Sequence, residues 1–201
     1  SSLDANTTGT RNIAVGGEAL GANTTASFNN ALGYKVLCSN TTGTSNVSIG
    51  TCSMRINSTG SANTAIGHVA LCANTTASNN TAVGYVTLRS NTTGANNTAM
   101  GYEALGANTT GCCNAVVGYN AGSDVTTGKE NVFVGGGAGG GTITTGCRNT
   151  FIGTNAGRNG TATSNSVSIG YESYPDNTDG NVEIVIAHAT QGCGSNTFTF
   201  G

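Results

Sequence analysis

A seventeen-residue period governs this chain. The segment NTTGTRNIAVGGEALGA, residues 6–22, recurs with new copies opening at Asn23, Asn40, Asn57, Asn74, Asn91 and Asn108. Degenerate copies open at Val125, Ile143 and Gly160, and the copy from Val125 carries one extra residue. The eleventh position is Gly in all ten copies, from Gly16 and Gly33 through Gly84 to Gly170. The residue before it is always aliphatic or Met, as in Val15, Leu32, Ile49, Ile66, Val83 and Met100. A unit this short cannot hold a helix pair, which needs about 33 residues or more. It also lacks the i, i+3, i+4 apolar spacing of a helix.

The period therefore predicts an all-β chain, a parallel β-solenoid of the β-roll type with about 17 residues per coil and 10–12 coils. Each copy holds two short apolar pieces separated by a Gly, as in NTAVGYVTL from Asn80 to Leu88. They read as two strands joined by a tight corner, where Gly takes a positive φ without a Cβ penalty. An NTTG turn then leads to the next coil, its Asn and Thr side chains bonding the turn backbone. At about 4.8 Å per rung the stack makes a rod roughly 50–60 Å long. Stacking assigns columns. The aliphatic residue before Gly and the Leu-like residue five further on (Leu20, Leu37, Met54, Leu71, Leu88, Leu105) are expected to point inward. Asn12, Asn29, Asn46, Asn63, Asn80, Asn97, Asn114, Asn131 and Asn149 form either an amide ladder up the stack or a set of turn residues. Two aliphatic side chains per coil make a thin core, so a further stabilising surface is expected: a homotrimer, a filament neighbour or disulfides.

Residues 1–176 form the repeat region, and residues 177–201 break the pattern. There NVEIVIAHAT (Asn181–Thr190) alternates like a stronger strand and SNTFTFG (Ser195–Gly201) ends like another coil, a cap or a subunit joint.

Composition excludes several classes. Charged residues are 8% of the chain and the net charge is −2, with Lys and Arg scattered singly, so no basic face for nucleic acid exists. No apolar run approaches the ~18 residues that span a membrane. The chain opens SSLDANTTGT without a signal-peptide pattern, which suits a mature form, a fragment or another export route.

The units NTAIG (Asn63–Gly67), NTAVG (Asn80–Gly84), NTAMG (Asn97–Gly101) and NSVSIGYES (Asn165–Ser173) resemble the head repeats of trimeric autotransporter adhesins. The longer NTTGANNTAMGYEAL (Asn91–Leu105) is similar to repeats in tail-fibre proteins of environmental phages. The resemblance covers residues 6–173 and implies a left-handed parallel β-roll at a cell or virion surface. Family units are often nearer 14 residues, so this chain's coil has a longer turn. No membrane anchor, coiled-coil stalk or self-cleaving chaperone domain accompanies the repeats.

Reactive chemistry is sparse. His68 sits in the column that otherwise carries Tyr34, Tyr85, Tyr102, Tyr119 and Tyr171, and reads as one more ring. His188 has no Asp or Cys near it in sequence, so no triad or Cys–His pair is suggested. GGGAGGG (Gly135–Gly141) lacks the following helix of a dinucleotide site and reads as a slack corner. DNTDGN (Asp176–Asn181) fits no calcium-loop spacing and reads as a turn. The chain is expected to be no enzyme, with no catalytic residue, cofactor or metal.

Surface columns supply the remaining candidates. Tyr85, Tyr102 and Tyr119 fall on successive coils and form either a structural ring ladder or a recognition strip for sugars or a partner. Thr7, Thr24, Thr41, Thr75, Thr92 and Thr109 run beside Thr8, Thr25, Thr42, Thr59, Thr76, Thr93 and Thr110, an arrangement like that of ice-binding solenoids. Asn6, Asn23, Asn40, Asn57, Asn74, Asn91 and Asn108 are N-x-[ST] sequons, as are Asn46, Asn79, Asn96 and Asn159. They are glycosylation sites along one edge if the chain is secreted by a eukaryote, or by-products of turn chemistry. Of seven cysteines, Cys38 and Cys52 on neighbouring coils are the internal disulfide expected, and at least one other is expected to link subunits. The reading that results is a rigid segment of an extracellular fibre, filament or surface adhesin that associates with copies of itself as a homotrimer or head-to-tail filament. A viral tail-fibre module binding glycans or a cell-surface receptor, and an ice-binding protein, are the alternatives.

Overall fold

The computed structural model describes residues 1–141, 143–158, 164–176, 182–194 and 196–201. Within them the chain winds as a parallel β-solenoid. Its strands are β1 (Ile13–Val15), β2 (Asn30–Leu32), β3 (Val47–Ile49), β4 (Thr64–Ile66), β5 (Thr81–Val83) and β6 (Thr98–Met100). They continue as β7 (Ala115–Val117), β8 (Val132–Val134), β9 (Thr150–Ile152), β10 (Val167–Ile169), β11 (Glu183–Ile186) and β12 (Thr197–Phe200). All twelve lie in one sheet in chain order. The register advances by 17 residues per rung, as in Ala14 opposite Ala31. It advances by 18 from Val132 to Thr150, where the extra residue falls, and by 14 from Glu183 to Thr197 at the last rung. Twelve rungs at about 4.8 Å make a rod roughly 50 Å long. Residues 177–201 thus contribute two more rungs, β11 and β12, to the same sheet.

Each coil has one strand, where the sequence pattern suggests two. In the copy from Asn80 to Leu88 only Thr81–Val83 is extended, because Val86 and Leu88 have φ of 50° and 49°. The same left-handed conformation recurs at Glu18, Lys35, Cys52 and Val69, and at Leu20, Leu37, Met54 and Leu71. A strand cannot pass through that region of φ/ψ space, so the backbone turns, with the Asn91 N–H donating to the Leu88 carbonyl at 3.1 Å. Each such residue costs on the order of 1–3 kcal/mol of strain. Hydrogen bonds between coils offset it: the Leu88 N–H donates to the Ala104 carbonyl and the Val86 N–H to the His68 carbonyl, both at 3.0 Å. The ladder therefore continues around the coil beyond the strand.

The residue before the corner Gly lies outside, not in the core. Alternation along a three-residue strand turns only the middle side chain inward. Ala65, Ala82 and Ala99 are fully buried, whereas Val15, Leu32, Ile49 and Ile66 are 37–54% exposed. The Leu column is inside as expected, with Leu20, Leu37, Met54, Leu71, Leu88 and Leu105 all buried. These side chains enter from the turns and face the strand. The lumen has width for one large and one small residue per rung.

That width is kept when the sizes invert. On β8 and β9 the inward residues are Phe133 and Phe151, stacked at 5.2 Å, and the Leu column changes to Gly139 and Gly157. A Cβ on Gly157 would stand 2.3 Å from the Phe151 ring. GGGAGGG is thus a size-compensating segment of the coil rather than a slack corner; only its first residue, Gly135, occupies the corner column. The corner Gly is fixed twice over: Gly84 has φ +138°, and a Cβ there would stand 2.4 Å from the Gly101 carbonyl oxygen of the next coil.

Candidate recognition surface

Side chains on this scaffold divide into those spent on the stack and those left free. Both Asn columns belong to the first group. Asn46 accepts at Oδ1 from the backbone N–H of Asn63 at 3.0 Å and from its Nδ2 at 3.2 Å, and the pattern repeats from Asn12 to Asn149. The Asn of the NTT turns forms a second buried ladder. Asn40 Nδ2 donates to Asn23 Oδ1 at 3.2 Å and to the Gly43 carbonyl at 2.9 Å, and Asn57 does the same one coil on. The second ladder stops at Asn108, because Val125 holds the next position; Asn108 Oδ1 is buried without a partner.

This places the sequons. Asn23, Asn40, Asn57, Asn74, Asn91 and Asn108 are fully buried with Nδ2 committed inside the rod, and Asn6 Oδ1 accepts from Asn23 at 2.8 Å. A glycan on such a nitrogen has no room in the stacked coil. Asn46 is buried too, whereas Asn79 and Asn96 are exposed; Asn159 lies outside the described residues. The first hydroxyl column is likewise committed, Thr75 Oγ1 donating to the Thr92 carbonyl at 3.1 Å and Thr92 Oγ1 to that of Thr109 at 3.0 Å. The second column, Thr8 through Thr110, is exposed and is the one Thr surface open to a partner or to ice.

The expected bridge between Cys38 and Cys52 is not made; both are free, half-buried thiols. Cys38 stacks over Arg55, its Sγ donating to the Arg55 carbonyl at 3.3 Å. Cys52 belongs to another column, its N–H donating to the Tyr34 carbonyl at 2.9 Å. The two are apart along the coil as well as up the stack. All seven cysteines are free within the chain. Beside Cys72 the Arg55 guanidinium is pushed above its usual pKa, first by a hydrogen bond with that thiol and then by its charge.

The ring column forms as expected. His68 stacks on Tyr85 at 5.2 Å, Tyr85 on Tyr102 at 5.5 Å and Tyr102 on Tyr119 at 5.2 Å. Sequence reading missed that His188 continues the column, stacking on Tyr171 at 5.4 Å; its offset of one repeat from Tyr171 was the available signal. Nearer the N-terminus, Lys35 lies over the Tyr34 ring at 5.3 Å and pairs with Glu18 at 3.8 Å. The ammonium is held above its usual pKa by Tyr34 first and Glu18 second.

Above Tyr119 the column is interrupted by Gly136 and Thr154, leaving a notch of about 290 Å³. Asn120, Asp124, Asn155 and Arg158 line it with Tyr119. None of these four was singled out in the sequence; Asp124 stands where other coils carry Ala22, Ser39, Ala73, Ser90 and Ala107. Among the described residues no group of three or more His, Cys, Asp or Glu could hold a metal ion. No helix among them is long and apolar enough to cross a membrane. Of DNTDGN, residues 177–181 lie outside the described residues.

Fold and surface together define a repeat protein, a parallel β-solenoid on a seventeen-residue rung. No family model, curated protein or solved structure matches the chain.

Proposed function

We propose that this chain is a structural repeat protein, a rigid segment of an extracellular fibre that associates with copies of itself through the outer face of its sheet. The supporting observation is the composition of that face. Each of β1–β10 presents its first and third residues outward, and all of these are aliphatic, Met, Ala, Thr or Asn, without one charge. Ile13 and Val15 are 58% and 54% exposed, and Met100, Val117 and Val134 lie at 40–42%. Exposed apolar patches of more than a few hundred Å² are uncommon on monomeric proteins. Ten rungs by three residues give roughly 500 Å² per copy, so two copies face to face bury about the 1,000 Å² a specific interface needs. Flat sheets of this kind pack at about 10 Å. The extracellular setting rests on the resemblance of NSVSIGYES (Asn165–Ser173) and its relatives to adhesin heads.

Light scattering and electron microscopy of the purified chain test the proposal, which expects oligomers or fibres at micromolar concentration. The triple change Ile49→Lys, Ile66→Lys, Val83→Lys alters only outward side chains and should return the protein to monomers with the same circular dichroism. A wild-type chain that stays monomeric at every concentration, or a triple variant that assembles unchanged, would overturn it.

A further inference from the structure

The notch above Tyr119 has the features of a ligand site. Within the stack, Tyr85 and Tyr102 have each ring face covered by a neighbour: His68 and Tyr102 for the first, Tyr85 and Tyr119 for the second. Tyr119 has Tyr102 on one face only, because the next coil offers Gly136; the ring is 63% exposed. The vacancy follows from the core. Phe133 fills the lumen and excludes a side chain at Gly139, and the glycines around that position strip the outer wall of the same coil. A Cβ on Gly136 would meet nothing nearer than the Tyr119 carbonyl oxygen at 3.9 Å.

Polar groups converge on the space. Asp124 Oδ2 accepts from the Gly141 N–H at 2.7 Å, which fixes the carboxylate at the rim. Arg158 Nη1 donates to Asn155 Oδ1 at 3.3 Å, and Asn155 Nδ2 donates to Glu172 at 3.4 Å. Asn120 Oδ1 lies buried with no hydrogen-bond partner, a group whose isolation costs about 1–3 kcal/mol until a donor reaches it.

We infer that this notch binds a single pyranose ring, stacked on the bare face of Tyr119 and hydrogen-bonded by Asp124, Arg158 and the two Asn amides. One carboxylate and one guanidinium leave the lining without net charge, which suits neither a phosphate nor a cation. Donors and acceptors interleave, as a polyhydroxylated ring requires. The apolar C–H face of a pyranose meets the negative face of the phenol ring. The size, at the lower end for ligand pockets, admits one small ring. The inference is independent of self-association, because it concerns a different face and is measured on the monomeric Lys variant.

Saturation-transfer NMR with methyl β-D-galactopyranoside, methyl α-D-mannopyranoside and methyl N-acetyl-β-D-glucosaminide tests it, each sugar at up to about 10 mM. At least one should bind and shift the Tyr119 ring signals. Gly136→Tyr places a ring in the vacancy, has room to fold, and should weaken that binding at least about tenfold with the melting temperature kept. Tyr119→Ser should do the same, and Tyr85→Ser should not. Failure of all three sugars to bind, affinity unchanged in Gly136→Tyr, or an equal loss in Tyr85→Ser would each overturn the assignment. So would binding of adenosine in place of any sugar.

Discussion

Phe133 and Gly139 share one volume: a Cβ on Gly139 would stand 2.5 Å from the Phe133 ring. In six earlier coils the same two columns hold a small residue and a large one, as in Ala99 and Leu105. The lumen fixes the sum of the two sizes and leaves their order open, a consequence of close packing.

A double-mutant cycle can measure this exchange. Gly139→Leu alone should overpack the rung and cost about 1–3 kcal/mol, and Phe133→Ala alone should cost about 3–5 kcal/mol through the cavity it leaves. The two together rebuild the rung of Ala99 and Leu105, and Leu105 already tolerates φ of 51° in that column. The double variant should therefore recover much of both losses, read as the urea midpoint. Additive losses would show that the two residues do not share space.

Gly84 and Gly136 make a second contrast. Gly84→Ala puts a Cβ 2.4 Å from the Gly101 carbonyl oxygen at φ +138°, so a loss of at least about 2 kcal/mol is expected. Gly136→Ala meets open space and should change stability by less than about 0.5 kcal/mol. Thermal unfolding followed by circular dichroism distinguishes the two.

The Asn ladder should be sensitive in its middle and tolerant at its end. Asn57→Ala leaves Asn40 Oδ1 without its donor and removes the acceptor of Asn74 Nδ2, bonds of 2.8 and 2.6 Å. Two new orphans should cost roughly 2–5 kcal/mol together. Asn108→Val only moves the unsatisfied oxygen from Asn108 back to Asn91, since Val125 already ends the ladder. Its unfolding midpoint should lie close to wild type.

Glycopeptide mass spectrometry of folded protein from a glycosylating host should find no sugar on Asn23, Asn40, Asn57, Asn74, Asn91 or Asn108, whose nitrogens bond inside the rod. Asn79 and Asn96, exposed on successive coils, are the sites expected to carry any glycan within the described repeats. Occupied buried sequons in material that retains the sheet would contradict the ladder.

Seventeen-residue spacing by itself determined the parallel stack, the corner glycines, the ring column and the Asn column from Asn12 to Asn149. All of these follow from translation along one axis: residues one period apart must lie above one another, whatever the shape of the coil. The period says nothing about which way a side chain points within a rung. Tertiary structure decided that Val15 and its column face outward, that Asn23 and its column face inward, and that Cys38 and Cys52 stay apart. The cause is the backbone between corner and turn, where left-handed residues such as Val86 and Leu88 replace the second strand and change the facing of everything after them. The notch at Gly136 depended on structure for a related reason. It arises from a size exchange between Phe133 and Gly139, two residues that only the closed coil brings together.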